Sequence, residues 1–193
     1  AWNTDLLGGG PVPEGWVDLA DDRWDGQLAL EASDFDWYGT LHRHLVEQGR
    51  TEAEVDEIFE RMADGAVVVD GHTAMAELLS AGEFTVAASA YTDSIDDSIG
   101  AGAPVARTPT IEPLILKPAG VGIVRGTDRP AAAALFTEWM LTEAQPLILE
   151  SRRVPASVTV GDPLEGAEVI HVPRDVYSTN AARWTERWSE LVG

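Results

Sequence analysis

Six residues lie at or shortly after the ends of three short apolar segments, where they could hold a small solute. The segments are QLALE at 27–31, AVVVD at 66–70 and FTVAASAY at 84–91. In open α/β sheets, ligands bind beyond the carboxyl ends of the strands, where helix N-termini offer unpaired amides and partial positive charge. We therefore predict that these residues bind a small anionic or metal-oxyanion solute. The residues are Asp36, Trp37, Gly71, His72, Thr73 and Tyr91.

The sequence leaves the role of most of these side chains open. Gly71 permits close approach of the backbone to a ligand, and His72 and Thr73 can donate hydrogen bonds to the same anion. Thr73 can equally be an ordinary helix cap, and a histidine at a helix start is often only solvated. Trp37 either stacks on a ligand or packs in the core, since it shares a helical stripe with Leu41.

Several other chemistries find no support in the sequence. Cysteine is absent, which excludes disulfides, thiolate catalysis and cysteine-ligated zinc. His42 and His44 lie two residues apart on a predicted helix, so they point to different sides and cannot chelate one metal. No nucleophile elbow, Walker loop or HEXXH zinc helix occurs. We therefore predict neither an enzyme nor a bound cofactor.

Charge composition argues against nucleic acid as a partner. The 193 residues include 33 Asp and Glu against 13 Lys and Arg, a formal net charge of -20 at pH 7. This charge repels phosphate backbones. The acidic side chains are scattered, as on a solvated surface, although a site for a cationic ligand would use the same charge. No apolar run approaches the ~20 residues of a transmembrane helix.

Strands alternate with amphipathic helices over residues 27–104. This alternation predicts an α/β fold with a largely parallel sheet and helices on both faces, because parallel neighbours need crossover connections. Thr51 and Glu54 form a capping box at the start of one helix, and Gly82 is placed to end another. Asp36 can cap the helix before these.

The last segment of the chain predicts a helix with an aromatic face. Trp184, Trp188 and Leu191 recur at helical spacing. Two indoles on one face need a partner surface to bury them. That surface is either the rest of the chain or a second copy, so a homodimer is one expectation.

Seven segments, in their order and spacing, resemble the iron(III)-type and related family 1 extracellular solute-binding proteins, which have the type II periplasmic-binding-protein fold. The resemblance covers nearly the whole chain, and no single segment is diagnostic. The segments are WNTDLL at 2–7, GWVDLADDRWDGQLALE at 15–31, DWYGTL at 36–41, DGHTAMAELLSAGE at 70–83, GAPV at 102–105, GVGIVRGTDRPAAAALFTEWMLTEAQ at 120–145 and RVP at 153–155.

The resemblance implies a division into two lobes around a cleft. Residues 1–124 would form lobe two with its hinge strands, and residues 125–193 a C-terminal helical remnant of lobe one. About the first third of a typical member would then be missing. The implied role is the substrate-binding component of an ABC importer, which hands a small solute to a membrane permease. Such a protein is exported to the periplasm or cell surface, as a lipoprotein in its full-length form.

Tyr91 bears on the solute through the same resemblance. The ferric-binding branch carries two adjacent tyrosines whose phenolates ligate iron(III), whereas this chain has Tyr91 followed by Thr92. One hard anionic oxygen ligand is therefore lost. Tyr91 is left either as a metal ligand or as a hydrogen-bonding partner of an organic solute.

Two alternative functions stay open. A hydrolase-type enzyme could use His72 as a general base in the same crevice, although a general base needs an oriented partner and the sequence shows none. A sensory or interaction domain could use the same fold. Neighbouring genes for a permease and an ATPase would separate the importer from such a domain.

Overall fold

The structure is a computed structural model, and it describes residues 1–161, 163–164 and 166–193. A five-stranded sheet forms its centre. Its strands are β1 (Trp2–Asn3), β2 (Leu28–Glu31), β3 (Val67–Val69), β4 (Val86–Ala87) and β5 (Val105–Ala106). Their order across the sheet is β3-β2-β4-β1-β5. β2 is parallel to β3 and β4, whereas β1 is antiparallel to β4 and β5. All strands of this sheet except β1 therefore run in one direction, as the alternation predicted.

Helices cover both faces of this sheet, which confirms the expected α/β architecture. They are α1 (Thr4–Leu7), α2 (Phe35–Glu47), α3 (Glu52–Ala63), α4 (His72–Ala81), α5 (Thr92–Gly100) and α8 (Ala181–Val192). Leu28 and Leu30 pack with residues of α2, α3 and α8, whereas Ala29 packs with residues of α4 and α5. Successive strand residues point to opposite faces, so β2 is buried on both sides.

Two helix ends follow the local signals in the sequence. Thr51 Oγ1 accepts a hydrogen bond from Glu54 N at 3.3 Å, and Thr51 N donates to Glu54 Oε2 at 2.8 Å, which confirms the capping box. Gly82 ends α4 with a φ of 81°, as predicted. The prediction that Asp36 caps α2 is wrong. Asp34 is the N-cap residue, because its carbonyl oxygen accepts the first intrahelical bond.

Close packing divides the described chain into two units. Unit 1 comprises Ala1–Leu116 and Glu168–Gly193, and unit 2 comprises Lys117–Ala167. Unit 1 contains the central sheet and a second, parallel sheet of two strands, β6 (Leu114–Leu116) and β7 (Val169–His171). The division into lobes at residues 124 and 125 stays a prediction.

Unit 2 contains two helices, α6 (Pro130–Leu141) and α7 (Gln145–Glu150). Leu135 and Phe136 of α6 are exposed. Within the described residues, the structure shows no helix that is long and apolar enough to cross a membrane.

The C-terminal helix α8 packs against α2 and α3 within unit 1. Trp184 and Trp188 are 4% and 1% exposed. The two indoles thus find the partner surface they require within the chain itself. The homodimer stays a prediction, and burial of these indoles does not depend on it.

Candidate functional site

The carboxyl ends of β2, β3 and β4 lie side by side at one edge of the central sheet. β2 is parallel to both neighbours, and Ala29 lies opposite Ala87, so the residues that follow the strands meet at this edge. His72 begins α4, and Tyr91 directly precedes α5. Their rings are stacked, with centroids 3.7 Å apart and an interplanar angle of 13°. Two residues selected from the sequence are therefore in direct contact.

Glu31 ties the loops that follow β2 and β3 together. Glu31 is 2% exposed, and its carboxylate accepts hydrogen bonds from Gly71 N at 3.0 Å and Ser33 N at 2.8 Å. Ser33 Oγ also donates to it, at 2.8 Å. A buried carboxylate is stable when several N–H and O–H groups satisfy its oxygens. Glu31 therefore fixes the turn that presents His72.

His72 is oriented by a carboxylate that the sequence analysis did not identify. His72 Nε2 lies 3.2 Å from Asp34 Oδ2, and Asp34 is 2% exposed. The cluster of Glu31, Asp34 and His72 could hold a metal ion, because each residue offers one ligand atom and these three atoms lie within 4.8 Å of one another. The loop containing Asp34 follows a strand end, which is the signal that could have identified it.

Asp36 is joined to a residue far away in the chain. Tyr177 OH donates a hydrogen bond to Asp36 Oδ2 at 2.7 Å, and Trp37 N donates to Asp36 Oδ1 at 2.8 Å. Burial, this hydrogen bond and the negative charges nearby, including Asp34, raise the pKa of Tyr177 above the usual tyrosine value. Tyr177 is therefore a neutral hydrogen-bond donor at neutral pH.

The remaining predicted residues occupy different environments. Trp37 is 3% exposed, and its ring contacts those of Phe59 and Trp188, with both centroid distances 5.9 Å, so the structure places it in the core. Gly71 has a φ of 95°, a conformation that favours glycine. Thr73 lies exposed in the first turn of α4, where amides have no intrahelical acceptor.

Ser89 is a further polar residue at this edge. It lies two residues after Ala87, the last residue of β4, and so follows the carboxyl end of that strand. Ser89 is 8% exposed, and its hydroxyl has no hydrogen-bond partner within the part of the chain that the structure describes. Buried hydroxyls are normally paired, so this one needs an explanation.

A second histidine–aspartate pair, His42 with Asp56, joins helices and has a different role. His42 Nε2 is 3.0 Å from Asp56 Oδ1, and Asp56 also bonds Arg187 of α8. Burial lowers the pKa of His42, and the Asp56 carboxylate partly opposes this shift. The arrangement joins α2, α3 and α8, so we assign it to packing.

Residues 1–175 match a family model described as bacterial extracellular solute-binding protein. The chain belongs to the bacterial extracellular solute-binding proteins. This confirms the family to which the sequence segments pointed, and the iron(III) subtype stays a prediction. In this solute-binding protein, the strand-end edge, formed by the residues that follow β2, β3 and β4, stays the predicted solute site.

Two solved structures share the fold of this solute-binding protein. The "Structure of the periplasmic binding protein P5PA" has a TM-score of 0.74 and 19% identity, and the match covers 100% of this chain and 65% of that chain. The "Crystal structure of the substrate binding protein of the ABC transporter from Agrobacterium tumefaciens" has a TM-score of 0.70 and 16% identity, covering 99% and 63%. This chain thus spans less than two thirds of either protein. No curated protein matches it.

Proposed function

We propose that this chain is the solute-gripping part of a substrate-binding component of an ABC importer. The observation that carries the proposal is the stacked pair of His72 and Tyr91 at the meeting point of three strand ends. Family membership supports solute binding outside the cytoplasm, in the periplasm or at the cell surface. One protein of the same fold is described as the substrate-binding protein of an ABC transporter, which supports an importer.

The proposed mechanism is capture without chemistry. Asp34 and Glu31 hold the imidazole and the α4 turn in place, so little ordering is left for the moment of binding. In the proposal, residues 1–124 act as lobe two with the hinge strands, and residues 125–193 are a remnant of lobe one, of which the helix α8 packs on α2 and α3. Hinge closure buries the solute, and the closed form docks on a membrane permease.

Two features of the candidate site favour solutes of opposite charge. The starts of α4 and α5 favour an anionic or metal-oxyanion solute, which is the prediction from sequence. The carboxylates of Glu31, Asp34 and Asp36 favour a positive charge. A metal-bearing solute is the second candidate, because Glu31, Asp34 and His72 bring three ligand atoms within 4.8 Å. Tyr91 would be the further metal ligand in that case.

The structure supports the hydrolase alternative by giving His72 an oriented carboxylate partner, but it does not pair the nearby Ser33 hydroxyl with His72. Asp34 is an oriented partner for His72, as a general base requires. The nearby hydroxyl of Ser33 donates to Glu31 instead of to His72. A screen with ester, amide and phosphate substrates, using His72→Ala as the inactive reference, would separate the two functions. Hydrolysis lost in that variant would favour the enzyme.

Solute capture is tested with the protein expressed at the full length of its gene. Native mass spectrometry identifies small molecules that co-purify, and calorimetry measures their affinity for the stripped protein. We expect His72→Ala and Tyr91→Ala to weaken binding by about 5- to 30-fold each. The matched control is His171→Ala, because His171 is exposed on β7. Equal affinity in the wild-type protein and all three variants would contradict the proposal.

A further inference from the structure

The strand-end edge is strongly acidic. The segments 31–37, 70–73 and 89–93 together contain five acidic residues and no lysine or arginine. Three of the acidic residues are buried: Glu31 and Asp34 are 2% exposed and Asp36 is 8% exposed. Buried carboxylates act through a low effective dielectric, so their field reaches further than that of surface charges.

Helix starts do not cancel this charge. Each helix N-terminus carries about half a positive charge, so the starts of α2, α4 and α5 offset about half of three carboxylates. The edge stays negative even when His72 is protonated. Several amides are also already used, because Gly71 N and Ser33 N donate to Glu31 and Trp37 N donates to Asp36. An anion would have to compete with resident carboxylates.

Aromatic rings form the solvent-facing part of the same edge. Tyr91 is 41% exposed and Tyr177 is 42% exposed. Tyr91 stacks on His72, which Asp34 orients, and Tyr177 is bonded to Asp36. Tyrosine faces attract cations by their quadrupole, and the attraction grows when the site is desolvated. Rings in front with carboxylates behind therefore suit an organic cation.

Two observations separate an organic cation from a bare metal ion. Both oxygens of Glu31 already accept hydrogen bonds from Ser33, and one also accepts from Gly71 N, so a metal would have to displace these donors. The buried Ser89 hydroxyl, which follows the carboxyl end of β4 and has no partner among the described residues, can accept a hydrogen bond from an N–H group. An ammonium or guanidinium group can use this hydroxyl without disturbing Glu31.

We propose that the solute carries an ammonium or guanidinium group, held on the rings of Tyr91 and Tyr177 and attracted by Asp34 and Asp36. This inference rests on the proposed solute-binding function and names the class of solute. It assigns Tyr177, Ser89 and Asp34 to recognition, in addition to the residues expected from the sequence.

The test compares four probes on the protein expressed at the full length of its gene. The probes are putrescine, arginine, inorganic phosphate and zinc chloride, each titrated by calorimetry after bound solutes are stripped. We expect putrescine or arginine to bind and phosphate not to. Tyr91→Leu and Tyr177→Leu should weaken cation binding by about 3- to 30-fold, and Tyr91→Phe should largely retain it, because phenylalanine keeps the ring.

Charge variants provide the second arm. Asp34→Asn and Asp36→Asn should each weaken cation binding by about tenfold or more, because they remove charge behind the rings. Asp5→Asn is the matched control, since Asp5 is an exposed carboxylate on α1. Far-UV circular dichroism checks that the variants are folded, and the tyrosine pair gives an answer if a buried aspartate variant fails to fold.

Each contrary outcome has a distinct meaning. Tight phosphate binding that strengthens in Asp34→Asn would overturn the organic-cation inference while leaving solute capture intact. Zinc binding that is lost in both Tyr91→Phe and His72→Ala would also overturn it, in favour of a metal. Co-purified solutes that bind equally well to the His72→Ala and Tyr91→Ala proteins would instead overturn the proposed function itself.

Discussion

Trp188 Nε1 donates a hydrogen bond to the carbonyl oxygen of Glu31, 3.0 Å away, although the two residues lie 157 positions apart. The Trp188 ring stacks on Tyr38, with centroids 5.4 Å apart. Helix α8 is thereby attached to the end of β2, where the Glu31 carboxylate connects the loops of the candidate site. Stability of the C-terminal helix and geometry of the site are therefore linked.

Removing this indole should destabilise unit 1 strongly. Trp188→Ala should lower the free energy of unfolding by about 3 to 5 kcal/mol, because it leaves a cavity among buried rings. Trp188→Phe should cost less, since it keeps most of the apolar area and loses a hydrogen bond of about 1 kcal/mol. Urea unfolding followed by far-UV circular dichroism measures both. Ser189→Ala, at an exposed position of the same helix, is the control. Wild-type stability of Trp188→Ala would show that α8 is not attached as described.

Gly39 allows α2 and α8 to approach closely. A Cβ at this position would lie 2.8 Å from Trp184 Cδ2. Gly39→Ala should therefore destabilise the protein by about 1 to 3 kcal/mol despite the better helix propensity of alanine. The comparison is Gly15→Ala, where a Cβ meets nothing within 4 Å and φ is -146°. Thermal unfolding should separate the two variants, and a stabilised Gly39→Ala protein would contradict the packing.

Glu31→Gln tests the connection between the loops after β2 and β3. The amide keeps one acceptor oxygen but turns an NH₂ group toward donors such as Gly71 N and Ser33 N. We expect a loss of about 1 to 3 kcal/mol and faster hydrogen exchange at the Gly71 amide. Glu57→Gln removes an exposed carboxylate of α3 and should change neither quantity. Unchanged exchange at Gly71 would mean that Glu31 does not hold the α4 turn.

Alkaline pH should reveal the buried tyrosine of α2. Burial raises the pKa of Tyr38 to about 12 from its ordinary value of 10.0. A group whose pKa is higher in the folded state contributes stability that is fully present below the unfolded pKa and is lost as pH rises through the folded pKa. The free energy of unfolding should therefore fall between pH 10 and about 12. Urea unfolding across this window measures the slope, which should be smaller in Tyr38→Phe. Equal slopes would contradict the burial of the phenol.

Local sequence patterns were enough to predict the alternation of strands with helices and one edge of the sheet. Periodic apolar residues and the Thr51 capping box report hydrogen bonds and burial within a few residues, so they predict α3 and the alternation of strands with helices. Parallel strands end at a common edge, so His72 and Tyr91 could be placed together before their contact was seen.

Contacts between distant segments determine which side chains complete the candidate site. Asp36 accepts a hydrogen bond from Tyr177, which lies 141 residues away in the chain. Trp37 packs in the core, although its position in the sequence also allowed a ligand contact. Local patterns carry no information on such pairs, because contacts between distant segments depend on the path of the chain as a whole. The same holds for Asp34, whose carboxylate turned to His72 and not to the helix it begins.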